Sequence, residues 1–109
     1  MNSRSSFATL VVVALKLLLS PQAVAETPTA EATFACKGGK TIEATFYADS
    51  VALKLSDGRS LKLKQAMSGS GARYANEDES FVFWNKGDTA FITEGADGKE
   101  TYSGCTAGK

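Results

Sequence analysis

Residues 41–63 read TIEATFYADSVALKLSDGRSLKL, and apolar side chains recur at every second position through most of this stretch. A period of two is typical of β-strands that bury one face, so Thr41–Tyr47 and Val51–Leu55 are predicted as strands. Asp57-Gly58 interrupts the alternation before it resumes through Leu63. Because a primed turn needs positive φ at its centre, this dipeptide predicts a β-hairpin.

Similar short segments occur on both sides of this hairpin. The same alternation predicts four further strands, which are Thr33–Cys36, Phe81–Trp84, Thr89–Thr93 and Thr101–Cys105. The turn Asn85–Asp88 makes a second hairpin and carries Lys86 at its tip. Short strands at this spacing, without helical periodicity beyond one turn, predict an all-β sandwich or barrel.

The stretch Ala66–Ser80 breaks the alternation and is predicted to be one long surface loop. Loops of this length in a small domain are often functional, because they present side chains on a rigid scaffold. Within it, Ser68–Tyr74 combines hydroxyl groups with a guanidinium and an aromatic ring. Two simpler interpretations stay open: a flexible linker with Tyr74 closing the barrel end, and Lys86 as a solvated residue at a hairpin tip.

The first 25 residues have the pattern of a secretory signal peptide. Arg4 precedes the apolar segment Phe7–Leu19, which is shorter than the roughly 20 residues of a spanning helix, and Ala23-Val24-Ala25 forms an A-x-A cleavage site. We predict cleavage after Ala25, a flexible leader at 26–31 and one folded domain at 32–109. No cysteine closely follows the apolar segment, so no lipid or other membrane anchor is expected.

The chain contains no histidine, and it has 12 basic and 12 acidic residues. Without histidine, Ser-His-Asp or Cys-His catalysis and the usual histidine-based metal and haem sites are excluded. Arg4 and Lys16 lie in the predicted signal peptide, so the exported chain has ten basic and twelve acidic residues and a formal charge of −2. A chain without excess positive charge is poorly suited to nucleic acid, and no cofactor or metal is predicted.

Cys36 and Cys105 are the two cysteines of the chain. In an exported protein they have one possible intramolecular pairing, and a small domain benefits from such a link. A metal or redox role is the competing interpretation, but neither cysteine belongs to a C-x-x-C motif. We predict a structural disulfide, which contributes about 4 kcal/mol in the chain-entropy model.

Two motifs resemble the bacterial inhibitors of c-type lysozyme, namely S-G-A-R-Y at Ser70–Tyr74 and F-x-F-W-N-K-G-D-x-A at Phe81–Ala90. With the closing Cys105, the resemblance extends from about Phe34 to Cys105, nearly the whole predicted domain. That family has a membrane-bound and a periplasmic branch. Because this chain lacks the lipidation cysteine, it resembles the periplasmic branch. The resemblance implies a small antiparallel β-barrel closed by one disulfide and located in the periplasm. It implies a host c-type lysozyme as partner, with the inhibitor a monomer or homodimer.

The resemblance also implies a mechanism in which two loops enter the lysozyme cleft. Ser70 and Lys86 fall on the motif positions that meet the catalytic carboxylates. Gly71 belongs to the same motif, and Arg73 and Tyr74 would brace the loop, with the ring packing beneath it. A hydroxyl can hydrogen-bond a carboxylic acid and an ammonium can pair with a carboxylate, so both catalytic groups would be blocked.

Two other classes of function stay open. An exported β-barrel could bind a glycan or another small ligand, with Trp84 and Tyr74 as stacking surfaces. A glycosidase that uses Glu77, Asp78 or Glu79 is disfavoured, because consecutive acids on a polar loop usually form a solvated patch. So small a domain also leaves little room for a substrate cleft. The chain is therefore predicted to be an inhibitor and not an enzyme.

Overall fold

The computed structural model describes residues 26–108, which fold into eight β-strands. The predicted signal peptide, residues 1–25, lies outside the described residues. In chain order the strands are β1 Ala30–Ala35, β2 Thr41–Phe46, β3 Ser50–Leu55, β4 Ser60–Ala66, β5 Ala72–Ala75, β6 Phe81–Lys86, β7 Thr89–Glu94 and β8 Lys99–Ala107. One turn of 3-10 helix, Lys37–Gly39, follows β1. Between residues 26 and 108, no helix is long and apolar enough to cross a membrane.

Each strand pairs antiparallel with its neighbours in the chain, and β8 returns to β1, which closes the sheet into a barrel. The predicted all-β class is confirmed, and of the two predicted architectures the barrel is the one that forms. Because consecutive strands run in opposite directions, the connections at 47–49, 67–71 and 87–88 share one end of the barrel. We call this end the loop end.

The period of two in the sequence corresponds to the inner and outer faces of the barrel. In β2 and β3 every second side chain points inward and is buried, whereas Glu43 and Lys54 on the outer face are exposed. Burying one large apolar side chain stabilises a fold by about 1.5–3 kcal/mol. The buried core consists of Phe34, Ile42, Ala44, Phe46, Val51, Leu53, Leu55, Leu63, Tyr74, Phe81, Phe83, Ala90, Ile92, Tyr102 and Cys105.

The prediction of one uninterrupted loop from Ala66 to Ser80 is wrong, because Ala72–Ala75 forms β5. This strand pairs with β4 on one side and with β6 on the other. Its four residues are too few to show a period of two, and the glycines, serines and acids around them conceal it. Two short connections remain, at 67–71 and 76–80.

The first strand begins at Ala30, inside the segment 26–31 that was predicted to be a flexible leader. The Thr29 amide donates a hydrogen bond to the Phe46 carbonyl at 2.8 Å, which continues the β1–β2 pairing towards the N-terminus. The Glu26 carboxylate lies 2.9 Å from the Lys62 ammonium and raises the pKa of that lysine. The backbone pairing from Thr29 onward contributes more here than the exposed ion pair does, since such a pair contributes little.

The predicted β3–β4 hairpin is confirmed, but its turn is of another kind than expected. The Gly58 amide donates to the Leu55 carbonyl at 2.9 Å, and the Leu55 amide donates to the Arg59 carbonyl at 2.9 Å. Gly58 alone in this turn has a positive φ, 98°. The loop therefore has three residues, in the arrangement of a type I turn followed by a glycine bulge, and is not a two-residue primed turn.

The seam between β1 and β8 is the shortest pairing of the barrel, with two residue pairs at Phe34 and Ala35. The disulfide between Cys36 and Cys105 follows directly, and the two Cα atoms are 3.9 Å apart. The predicted disulfide is thus confirmed. It links the first and last strands covalently where the backbone ladder contributes least.

A charge network lies at the barrel end opposite the loop end and is centred on Arg59. Its guanidinium donates to both Glu94 carboxylate oxygens at 2.9 and 3.0 Å, contacts the Asp57 carboxylate at 2.8 Å, and lies 5.5 Å from the centre of the Phe81 ring. Hydrogen bonds from the Arg59 side chain and amide lower the pKa of Asp57 from 3.8 to about 2. The same side chain lowers the pKa of Glu94. The network connects the β3–β4 turn to the end of β7.

Candidate functional site

The two motif segments of the sequence form neighbouring strands, which places their loops side by side at the loop end. In the β5–β6 pairing, Ala72 lies opposite Asn85 and Arg73 opposite Trp84. The β4–β5 loop, residues 67–71, immediately precedes the first of these pairs. Lys86, the last residue of β6, immediately follows Asn85, which pairs with Ala72. The tertiary structure therefore brings Ser70 and Lys86 to one surface.

Gly71 makes the closest approach between the two segments. A Cβ atom on this glycine would lie 2.8 Å from the Asn85 carbonyl oxygen and 3.2 Å from the Lys86 Cβ. Its φ is also positive, 70°, a conformation that other residues adopt only with strain. Glycine is required here for two independent reasons, and both hold the β4–β5 loop against Lys86.

Ser70 and Lys86 line the same small cleft, of about 140 Å³, together with Trp84, Thr89 and Phe91 among others. Both Ser70 and Lys86 are exposed. The Ser68 hydroxyl donates to the Ser70 carbonyl at 2.7 Å within the loop. The Ser70 hydroxyl itself has no hydrogen-bond partner among the described residues. Within the same described range the Lys86 ammonium forms no salt bridge.

The β6–β7 turn around Lys86 is stiffened by polar contacts of its neighbours. The Thr89 hydroxyl donates to the Lys86 carbonyl at 2.8 Å, and the Asn85 side-chain amide donates to the Gly87 and Thr89 carbonyls, both at 3.1 Å. The backbone that carries Lys86 is thus held in place, while its ammonium stays free to meet a partner.

Arg73, Trp84 and Phe91 form a stack on the outer face of the barrel, one residue from each of three adjacent strands. The Arg73 guanidinium lies 5.2 Å from the centre of the Trp84 ring, and the Trp84 and Phe91 rings are stacked with centroids 5.7 Å apart. Glu79 accepts a hydrogen bond from Arg73 and ties the 76–80 connection to the stack. Arg73 therefore braces the β5–β6 pair from outside, and its role in supporting the 67–71 loop stays a prediction.

Tyr74 lies on the opposite face of β5 and is buried in the core. Its ring centroid is 6.0 Å from that of Phe46 and 6.1 Å from that of Phe83, and burial raises the pKa of the Tyr74 hydroxyl. The ring supports the strand from inside the barrel. The buried Tyr74 ring is therefore not available for stacking on a glycan, while the partly buried Trp84 ring already contacts Arg73 and Phe91.

The acidic residues considered for glycosidase chemistry lie on the exposed 76–80 connection. Glu77, Asp78 and Glu79 border an open groove of about 690 Å³ whose other wall carries Lys62 and Lys64. Hydrogen bonds from Ser80 lower the pKa of Asp78. A glycosidase acid instead needs an apolar pocket that raises its pKa. No group of His, Cys, Asp or Glu side chains between residues 26 and 108 could hold a metal ion.

Phe91 is a contributor to this region that the sequence analysis missed. The predicted turn Asn85–Asp88 had four residues, whereas the actual turn has two, Gly87 and Asp88, so that Lys86 lies opposite Thr89. Counting outward from the shorter turn pairs Trp84 with Phe91. A two-residue turn at Gly87-Asp88 fixes this register, and the register identifies the aromatic pair.

A closed β-barrel of this size, with one disulfide and with polar loops gathered at one end, has the architecture of a small binding scaffold. The chain belongs to the family described as membrane-bound lysozyme-inhibitor of c-type lysozyme, whose sequence model matches residues 34–101. The resemblance inferred from the two motifs is thereby confirmed.

One relative is the membrane-bound lysozyme inhibitor of C-type lysozyme from Yersinia enterocolitica. It is 42% identical over 60 residues, which cover 54% of this chain and 49% of the relative. The chain thus spans about half the length of that curated relative. No solved structure matches the chain. Because the family description and the name of this relative both refer to membrane-bound proteins, the periplasmic branch stays a prediction.

Proposed function

We propose that the chain inhibits c-type lysozyme by inserting the loop end of the barrel into the active-site cleft. The observation that carries the proposal is the juxtaposition of Ser70 and Lys86. Both are exposed, both line one small cleft, and neither polar group has a partner among residues 26–108. Membership of an inhibitor family supports the same conclusion and argues against a catalytic role.

The chemistry of the two side chains complements the catalytic groups of a retaining glycosidase. Such an enzyme has one carboxylic acid and one carboxylate about 5–5.5 Å apart. The Ser70 hydroxyl would hydrogen-bond the acid, and the Lys86 ammonium would pair with the carboxylate. The ion pair gains strength as the inhibitor excludes water from the cleft. Neither side chain offers a glycosidic bond, so the enzyme has nothing to cleave.

The remaining site residues would act by holding these two in place. Gly71 permits the close approach of the loops, Arg73 braces β5 from outside through Trp84, and Tyr74 supports it from the core. Pre-ordering of the loops reduces the entropy lost on binding.

We further propose that the chain is exported to the periplasm, cleaved after Ala25 and not lipidated. There it would meet lysozyme of host origin, as a monomer or homodimer. A formal charge of −2 helps the encounter with a basic enzyme only modestly. Intact-mass measurement of the mature protein tests the processing, since a product that starts at Glu26 without an acyl group is expected. Retention of Phe7–Leu19 or an acyl adduct would contradict it. Light scattering reports the assembly.

The function is tested by titrating c-type lysozyme with the purified inhibitor and following lysis of a bacterial cell-wall suspension. Loss of lysozyme activity near a one-to-one ratio is expected, and a Ser70→Ala/Lys86→Ala double variant should abolish most of it. Binding to chitooligosaccharide without inhibition of lysozyme would instead support the glycan-binding alternative.

A further inference from the structure

Met67 is the large apolar residue that this fold leaves in water. It is 89% exposed, whereas the other large apolar residues between 26 and 108 are buried or partly buried. A single exposed apolar side chain is common on protein surfaces, so its position has to decide its meaning.

Met67 opens the β4–β5 loop, directly after the last residue of β4. The loop contains the hydrogen bond from the Ser68 hydroxyl to the Ser70 carbonyl at 2.7 Å and lies against Lys86 at Gly71. The backbone of Met67 is therefore held between a paired strand and an ordered loop. Its exposed side chain stands at the same barrel end as Ser70 and Lys86.

We propose that Met67 is an apolar contact of the lysozyme-binding surface and that oxidation of its thioether to the sulfoxide weakens this contact. This inference rests on the proposed function. An unbranched thioether suits a binding surface, because it is flexible, polarisable and adapts to an irregular partner. Because the Met67 side chain packs on almost nothing in this fold, it becomes buried only when a partner covers it.

The oxidation is a simple oxygen-atom transfer from a peroxide. The O–O bond of hydrogen peroxide breaks and an S–O bond forms to one of its oxygens. Sulfur loses two electrons, and the second oxygen leaves with both hydrogens as water. The product is a polar, chiral side chain in place of an apolar one. Buried against lysozyme, it would lose the apolar contribution and would require a hydrogen-bond partner.

The rest of the chain makes this site selective. The sequence contains two methionines, Met1 and Met67, and the first lies in the predicted signal peptide. Cys36 and Cys105 are already joined, and no free cysteine occurs between residues 26 and 108. The Trp84 ring is partly buried and already contacts Arg73 and Phe91. Mild peroxide treatment of the exported chain should therefore add one oxygen atom, at Met67.

The experiment compares untreated and peroxide-treated protein after the peroxide has been removed and before lysozyme is added. Mass spectrometry with peptide mapping should show one added oxygen, on Met67, and the melting temperature should be unchanged. Isothermal titration should show affinity for c-type lysozyme reduced by about tenfold. Peroxide should leave the affinity of Met67→Leu at the value measured for that variant before treatment, while Met67→Gln should bind about as weakly as the oxidised protein.

The outcomes separate this inference from the function on which it rests. If untreated wild type binds lysozyme and the oxidised protein and Met67→Gln bind equally well, the role of Met67 is wrong and the proposed function stands. If untreated wild type does not bind, the proposed function is wrong and this inference falls with it. Oxidation at another residue would overturn the selectivity of the site.

Discussion

Gly71 lies so close to Lys86 that a Cβ atom on the glycine would be 3.2 Å from the Lys86 Cβ. These residues are distant in the predicted organisation of the sequence, one in a supposed long loop and the other in a hairpin tip. In the barrel they join the two loops of the proposed inhibitory site. The contact therefore offers a direct way to displace one loop without removing any side chain that meets the partner.

Gly71→Ala should lower both stability and affinity for c-type lysozyme. The added Cβ would lie 2.8 Å from the Asn85 carbonyl oxygen. In addition, alanine would have to adopt the φ of 70° of this position, which is strained for any residue with a Cβ. A cost of about 1–3 kcal/mol is expected for such strain. Gly69→Ala is the matched control, because a Cβ there has nothing within 4 Å and its φ is not positive. Thermal unfolding and titration calorimetry measure both effects. Equal behaviour of the two variants would contradict this account.

Lys86→Ala should weaken binding more than Ser70→Ala. Removing one partner of a buried charge pair costs about 2–5 kcal/mol, whereas a hydrogen bond to a charged group contributes about 1.5–3 kcal/mol. Loss of the ammonium should also reduce the salt dependence of binding. Lys86→Arg replaces the compact ammonium by a planar guanidinium and so tests whether the site requires the smaller group.

The control for this comparison is Lys54→Ala, which removes an exposed lysine of β3 far along the barrel from the loop end. All four variants should keep the melting temperature of the wild type, because exposed side chains add little to a core. Unchanged affinity for Lys86→Ala would show that this lysine is only a solvated hairpin residue.

Arg73→Ala should destabilise the fold and loosen the outer stack. It removes the guanidinium that covers Trp84 and the ion pair with Glu79, and a loss of about 1–2 kcal/mol is expected. Trp84 is the single tryptophan of the chain, so its fluorescence reports the change directly. The emission maximum should shift to longer wavelength. Glu79→Gln removes the ion pair alone and should leave the emission nearly unchanged. A red shift in this control would show that the ion pair with Glu79, and not the contact of Arg73 with Trp84, stabilises the stack.

Replacing Cys36 and Cys105 together by alanine should lower the free energy of unfolding by about 2–5 kcal/mol. The β1–β8 seam has two residue pairs beside the bridge, so little else holds the first strand to the last. Alanine is preferred to serine, since Cys105 is buried and a serine hydroxyl there would lack a partner. Denaturant titration with and without reductant checks the result. Reductant should destabilise wild type and leave the variant unaffected.

The Arg59 network predicts a loss of stability in acid. The pKa of Asp57 falls from 3.8 to about 2 on folding, and that of Glu94 falls below its ordinary value of 4.5. Groups with a lowered folded pKa stabilise the fold above their ordinary pKa, and this contribution is lost as the pH falls through the folded value. Stability should therefore decrease between about pH 4.5 and pH 2.

Glu94→Gln should make that decrease shallower, while Glu31→Gln, which changes an exposed carboxylate of β1, should follow the wild type. Denaturant midpoints at several pH values provide the measurement. Identical pH profiles for wild type and Glu94→Gln would show that the network does not couple protonation to folding.

Much of the fold follows from local patterns. In β2 and β3 the residues alternate clearly between an apolar and a polar face, because each strand packs one face on the core and the other on water. The two cysteines had one possible pairing, and the motifs around Ser70 and Lys86 marked the family. Each of these inferences needed no knowledge of distant contacts.

Other features depend on contacts that a local pattern does not contain. β5 exists because β4 and β6 supply hydrogen-bond partners on both sides of Ala72–Ala75, and Tyr74 points inward because that pairing sets its face. Register likewise pairs Trp84 with Phe91. The fold also leaves Met67, in the loop that follows β4, exposed to water. The sequence by itself determined the strand-rich class, the disulfide and the candidate side chains. Only the pairing of the strands decided which of them meet, because backbone pairing between separate strands sets both distance and facing.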